Sequence, residues 1–341
     1  MTHSALILGF GTTSLSAAER QFFKQVRPWG YILFARNIDN PAQVLSLTDE
    51  LRSLDGRESL PILVDQEGGR VARFRAPFWR HPPAAARFAG LHTRSASDAI
   101  EAARLNSQII ADDLRAVGVT VDCAPCIDVP FPGAHDVIGD RAYGRDPAGI
   151  AALGRAVCEG LQAGGVAPII KHIPGHGRAM SDSHLDLPIV DASLADLRVS
   201  DFLPFRALAD APMAMTAHVV YAGIDPAKPA TLSARIIGDV IRGEIGFGGL
   251  LMTDDLSMRA LQGSFAARTQ SSYAAGCDVV LHCNGNMAEM AEIAVEARPL
   301  LGDSLRRAEA AEAAIPVRPL AFDRGAALQR LTELLPDGAV A

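Results

Sequence analysis

Eight short apolar runs set the frame for this chain. They are "ALILGF" from Ala5, "GYILFA" from Gly30, "LPILVD" from Leu60, "VTVDCAP" from Val119, "APIIKH" from Ala167, "PMAMTAH" from Pro212, "GLLMTDD" from Gly249 and "CDVVLHC" from Cys277. None alternates polar with apolar residues, so each reads as a strand buried on both faces. Helical segments lie between them. "NPAQVLSLTDELRSL" has a capping residue and apolar positions three and four apart. "SASDAIEAARLNSQIIADDLRAVG" ends at Gly118 and "PAGIAALGRAVCEGLQAGG" at Gly164 and Gly165, as helix C-caps do. "DASLADLRVSDFLPFRALAD" opens with a Ser193–Asp196 cap and is expected to be helical throughout. "NMAEMAEIAVEARPL" and "RGAALQRLTELL" close the chain. Strands alternating with helices imply a parallel sheet. Eight such units point to an α/β fold of the single-domain (β/α)8 TIM-barrel type, occupying residues 1–341, with C-terminal helices from about residue 287 packing on the barrel.

A chain of 341 residues with 49% hydrophobic and 21% charged content suits one large globular unit. A formal net charge of −7 argues against nucleic acid as the main partner. No segment offers the roughly 18 consecutive apolar residues of a membrane span. The N-terminus lacks the basic n-region of a secretory signal, so a soluble cytoplasmic protein is expected. The five cysteines are odd in number and scattered, unlike a secreted disulfide framework. Cys123 and Cys126 form a C-x-x-C, but "VTVDCAPCIDV" reads as a buried strand and its exit.

In a barrel, chemistry sits where strands end and βα loops begin. Five runs end in polar residues: Asp65, Asp128, Lys171 with His172, His218, and Asp254 with Asp255. The densest stretch is "KHIPGHGRAMSDSHLDLP", from Lys171 to Pro188. The only lysines are Lys24, Lys171 and Lys228, so a lysine inside this motif is notable.

Three chemistries fit these residues. The first is a catalytic metal held by His172, His176 and His218, with His184 within reach on the same loop. His172 and His176 have i, i+4 spacing, but Pro174 and Gly175 between them exclude the helix of a zinc protease. The second is a dinucleotide at "LILGFGTTSL", where Ser14 stands in place of the third glycine of the fingerprint. The third is glycoside hydrolysis, which needs one group to protonate the leaving oxygen and another to attack or stabilise the anomeric carbon. Asp254 is a rigidly placed carboxylate for the second task, unless it only caps the following helix, which Asp255 can do equally well. Asp182 and His184, two apart on a loop, could form an acid–base pair in which the carboxylate orients the imidazole, or only a local loop hydrogen bond. Asp65 could accept bonds from sugar hydroxyls; Lys171 and Arg141 could donate to hydroxyl or acetamido oxygens, or serve as buried salt-bridge partners.

The 171–188 stretch resembles the Lys-His-Phe/Ile-Pro-Gly-His-Gly…Asp-Ser-His…Leu-Pro signature of the β-N-acetylhexosaminidases of glycoside hydrolase family 3. "VDQEGGRVARF", "IGDRAYGRDP", "MTAHVVY" and "LLMTDDLSM" are similar to that family's other motifs, in the same order, over Leu6 to Cys283. The resemblance implies a retaining mechanism through a covalent glycosyl-enzyme, without metal or cofactor. It puts the nucleophile at Asp254, the acid/base at His184 with Asp182, and the sugar-binding groups at Asp65, Arg141, Lys171 and His172. It further implies the short cytoplasmic type that removes N-acetylglucosamine from 1,6-anhydro-muropeptides in cell-wall recycling. "RAMS" before Asp182 departs from the small or acidic residues usual there. The length and glycines of this loop suggest a lid that delivers His184 to the substrate.

Overall fold

The computed structural model describes residues 3–183, 186–316 and 319–336. Eight strands close a barrel, each from one of the eight apolar runs: β1 (Ser4–Leu8), β2 (Pro28–Leu33), β3 (Ile62–Val64), β4 (Val121–Asp122), β5 (Ala167–Ile173), β6 (Met213–Thr216), β7 (Leu250–Asp255) and β8 (Val279–His282). They follow one another around the barrel in chain order, and β1 closes it on β8. All eight barrel pairings are parallel. β5 is buried at every residue, as a parallel strand covered on both faces must be.

The helices form around this core for local reasons. Asn40 caps helix Pro41–Asp55, whose Val44, Leu47 and Leu51 are buried at helical spacing. Burial of each such side chain contributes about 1.5–3 kcal/mol, and Leu51→Ala would cost about 2–5 kcal/mol. The segment from Asp191 to Asp210 differs from expectation. It holds two short helices, Leu194–Val199 and Phe202–Ala207, because Ser200 leaves the helical region and Pro204 fits only a new first turn.

The "GFG" stretch also has a structural reason. A Cβ on Gly9 would lie 2.2 Å from the Cys283 carbonyl oxygen, so the β1–β8 closure needs glycine there. The Gly11 N–H donates to Glu19 Oε1 (2.9 Å), which belongs to the Ser16–Glu19 capping box. These residues serve barrel closure and a helix cap.

Two small sheets that the apolar pattern did not signal sit on the rim. One is a hairpin of Gln66–Gly68 and Val71–Ala72, directly after β3. The Gln66 side chain holds it by accepting from the N–H groups of Arg73 and Phe74 and donating to the Phe74 carbonyl. The other joins Ile189–Val190, Val220–Tyr221 and Asp225–Pro229 from the loops after β5 and β6.

The C-terminal helices Met287–Val295, Gly302–Ala313 and Arg324–Leu334 lie against the barrel and its helices. Glu312 accepts from the Trp29 indole (2.7 Å), Arg307 pairs with Asp278, and Leu331 joins the core. Among the described residues no helix is long and apolar enough to cross a membrane.

Candidate active site

The C-terminal ends of the strands open into a cavity of about 610 Å³. Asp65, Arg141, Lys171, His172 and Asp254 all line it, so five residues singled out in the sequence share one space. Its apolar lining includes Ile32, Phe34, Val71, Met215, Met258 and Leu281.

One wall is a chain of ion pairs. Lys171 Nζ donates to Asp65 Oδ1 at 2.8 Å and lies 2.7 Å from Glu67 Oε1. Arg73 reaches Asp65 Oδ2 at 3.0 Å, and Arg141 grips both oxygens of Glu67 at 2.7 and 2.9 Å. Burial pushes the Asp65 carboxyl up, but Lys171 and Arg73 outweigh it and hold the group well below the usual carboxylate range. The same contest, with Arg141 and Lys171 as partners, keeps Glu67 low. Burial alone would lower Lys171, yet its two carboxylate partners hold it well above the ordinary value. Asp65, Glu67, Arg141 and Lys171 are therefore charged at neutral pH, and their polar edges are held in fixed orientation.

Glu67 and Arg73 were not picked out from the sequence. The signal was available: Glu67 is two residues from Asp65, and period-two alternation puts the two on one side of an extended segment. Arg73 is placed by the hairpin return, which no local pattern announced. Its guanidinium also stands 5.1 Å from the centre of the Phe34 ring, fixing its angle.

Behind His172 sits Asp128, at the exit of β4. Its Oδ2 lies 2.7 Å from His172 Nδ1, and its Oδ1 accepts the backbone N–H groups of His172 and His176. Burial raises this carboxyl, but His172 beside it brings it well below the usual range. The pairing fixes the imidazole ring and leaves its Nε2 edge as the one free for a ligand.

The other two histidines of the metal reading have structural duties. His218 is fully buried. Its Nε2 lies 3.0 Å from the Asp255 carbonyl and its Nδ1 2.7 Å from Thr231 Oγ1. A carbonyl only accepts, so Nε2 carries the proton and Nδ1 accepts from the Thr231 hydroxyl. Burial lowers its pKa and keeps it neutral. With both ring nitrogens engaged, His218 is not a ligand alongside His172 and His176. His176 is buried too, and burial brings it to about 4, so it is neutral. Its Nε2 meets Ser183 Oγ at 3.2 Å, across the 174–183 loop.

Asp254 and Asp255 divide their tasks. Asp255 Oδ1 accepts from the N–H groups of Ser257 and Cys283, and Oδ2 accepts from the Ser257 hydroxyl at 2.5 Å. This carboxylate builds the turn. Asp254 is half-buried, lines the cavity and accepts the Asp255 N–H at 2.8 Å.

Asp182 lines a second cavity of about 810 Å³, which shares Val71, Arg73 and Arg141 with the first. His184 lies outside the described residues. The loop up to Ser183 is well tied. Gly177 accepts from Phe131 N–H (3.0 Å), Ala179 from His135 N–H (2.9 Å) and Ser183 from Ala260 N–H (3.2 Å). A Cβ on Gly177 would strike the Val129 carbonyl at 2.0 Å, which explains that glycine by close approach rather than by freedom to move.

The glycosyl hydrolase family 3 N-terminal domain model matches residues 8–307. A β-hexosaminidase of Alkalilimnicola ehrlichii is 42% identical over 283 residues, covering 82% of this chain and 80% of that protein. NagZ of Neisseria gonorrhoeae in complex with N-trifluoroacetyl-D-glucosamine is 32% identical, covers 98% of both chains and superposes with a TM-score of 0.82. The same enzyme in complex with zinc ion gives a TM-score of 0.87 at 32% identity, covering 98% of this chain and 99% of that one.

Proposed function

This chain belongs to glycosyl hydrolase family 3 and is a β-N-acetylhexosaminidase, and we propose that it removes terminal β-linked N-acetylglucosamine with retention of configuration, using Asp254 as nucleophile. The observation that carries this reading is the division of labour at the end of β7. Asp255 supports the turn, so the Asp254 carboxylate faces the cavity that Asp65, Arg73, Lys171 and His172 also line.

In this mechanism those four residues and Arg141 hold the sugar hydroxyls and acetamido group. The Asp254 carboxylate attacks the anomeric carbon as the glycosidic C–O bond breaks. His184, oriented by Asp182, gives its proton to the departing oxygen. The resulting glycosyl ester on Asp254 is then cleaved by a water that His184 deprotonates. Two displacements at one carbon restore the β configuration. Placement of Asp182 on the second cavity supports leaving-group entry from that side.

The natural substrate in this reading is a 1,6-anhydro-muropeptide of peptidoglycan recycling, and the protein acts in the cytoplasm as a single domain over residues 1–341. All five cysteines are free and buried, which fits a reducing compartment. The experiment is hydrolysis of an aryl β-N-acetylglucosaminide followed by NMR. A first-formed β product is expected; a first-formed α product would remove Asp254 from the nucleophile's role.

A further inference from the structure

We propose that Cys126, Asp128 and His172 form a latent site for a thiophilic divalent cation such as zinc, and that filling it blocks sugar binding. Cys126 Sγ, Asp128 Oδ2 and His172 Nδ1 lie within 4.8 Å of one another, all on buried residues. The thiol and the ring nitrogen converge on the same oxygen, at 3.2 and 2.7 Å. A sulfur, a nitrogen and a carboxylate oxygen are the ligand types of a tetrahedral zinc site. Metal–ligand bonds of about 2.0–2.3 Å put such ligands roughly 3–4 Å apart. The thiol–carboxylate pair has that spacing, the Asp128–His172 contact would have to open to it, and the thiol and ring nitrogen lie within 4.8 Å of each other.

Packing does not demand a thiol at this position. Cys126 sits with Ile138, Ala142 and Val137 in a small apolar cluster that a valine would fill as well. Its thiol donates to the carboxylate that already holds His172. A fourth group is at hand. His176 Nδ1 is buried and has no hydrogen-bond partner among the described residues. Its ring centre lies 5.6 Å from that of His172, and its backbone N–H holds the other oxygen of Asp128 at 2.6 Å. His172 lines the main cavity, which gives an ion a path inward.

On capture, metal–sulfur, metal–nitrogen and metal–oxygen bonds form, and the thiol proton leaves to solvent. The ion takes the His172 nitrogen that now bonds Asp128, so the ring leaves its sugar-facing pose. The inhibition rests on His172 holding the sugar; the capture of the ion does not.

The test uses the full chain stripped with a chelator. Cadmium is added alone, and the near-ultraviolet sulfur-to-cadmium charge-transfer band is followed. Zinc inhibition of aryl β-N-acetylglucosaminide hydrolysis is measured in parallel on wild type, Cys126→Val and Cys126→Ser. Both variants should match the wild-type rate in chelator, showing that they fold. The band should form in wild type and be absent from both variants. The zinc concentration for half inhibition should rise at least about tenfold in the variants. Absence of the band in wild type, or equal zinc inhibition in all three proteins, would overturn the proposal; the latter would put the ion elsewhere, for instance on the Asp182 loop. A Cys126-dependent band without inhibition would uphold the metal site and remove the sugar-holding role of His172.

Discussion

Along the β3–β5 side of the cavity, Asp65, Glu67, Arg73, Arg141 and Lys171 are bonded to one another in a continuous chain, whereas on the β7 side two neighbouring carboxylates do different work. Asp255 is absorbed by backbone and hydroxyl donors of its own turn and of β8, and Asp254 borders the cavity. The first wall sets three cations against two carboxylates, so it carries one net positive charge held in close ion pairs. The second offers a carboxylate whose neighbour already meets the needs of the backbone. In the proposed mechanism the difference separates holding from reacting, and substitutions on the two walls should then fail in different ways.

The largest effect is expected at Asp254. Asp254→Ala should lower kcat by about 10⁴-fold or more on every aryl glycoside, with little change in melting temperature. Asp255→Asn should instead lower the melting temperature and reduce activity less, because it disturbs the turn. Equal kinetic losses at the two positions would break the division of labour. Next comes His184. His184→Ala should lose about 10²–10⁴-fold on poor leaving groups and far less on nitrophenyl-type ones, which need little protonation. A slope of log kcat against leaving-group pKa unchanged from wild type would remove it as the acid.

On the holding wall, Lys171→Met leaves Asp65 and Glu67 buried beside each other without their shared cation. Breaking such a network costs about 3–5 kcal/mol, so chemical denaturation should show a large loss of stability together with a raised KM. Loss of kcat alone, with stability and KM intact, would transfer Lys171 from the holding wall to the reacting one.

Much of this architecture was legible in the residues. A strand buried on both faces has to be apolar throughout, so the eight runs marked the barrel, and the polar residue ending a run marked the rim. The rim hairpin after β3 was not legible, because Gln66 holds it through side-chain bonds that leave no periodicity. Arg73 was missed with it. The helix expected across Asp191–Asp210 hid its break because the apolar spacing continues through Ser200. The histidines show the limit most clearly. His218 and His172 both end barrel strands, and only their partners distinguish them: Thr231 and a carbonyl for one, a carboxylate for the other. Those partners come from distant parts of the chain. Asp128 ended its run in plain view, but its role depended on the meeting of β4 with β5.

The smallest expected effect concerns a third acid behind the holding wall. Asp122 is fully buried at the end of β4. Its Oδ1 accepts the Gln66 N–H at 2.9 Å, and its Oδ2 has no partner among the described residues. Burial drives its pKa up to about 7; the Gln66 bond and Lys171 pull it down, and Asp65 and Glu67 push it further up. The Cys123 thiol beside it is itself raised by burial and stays protonated. Asp122 is thus a neutral acid in weakly acidic solution, and the wall keeps its net positive charge. Its pKa in the unfolded chain is near 4, so the folded state binds the proton more tightly. That stabilisation is complete below about pH 4 and is lost as pH rises through about 7. Asp122→Asn keeps the shape and the acceptor for Gln66 but cannot ionise. Between pH 6 and 8 the wild-type melting temperature should fall by about 2 °C more than that of the variant. If the two proteins tracked each other across that range, Asp122 would not titrate there; ionised throughout, it would set three carboxylates against the wall's three cations.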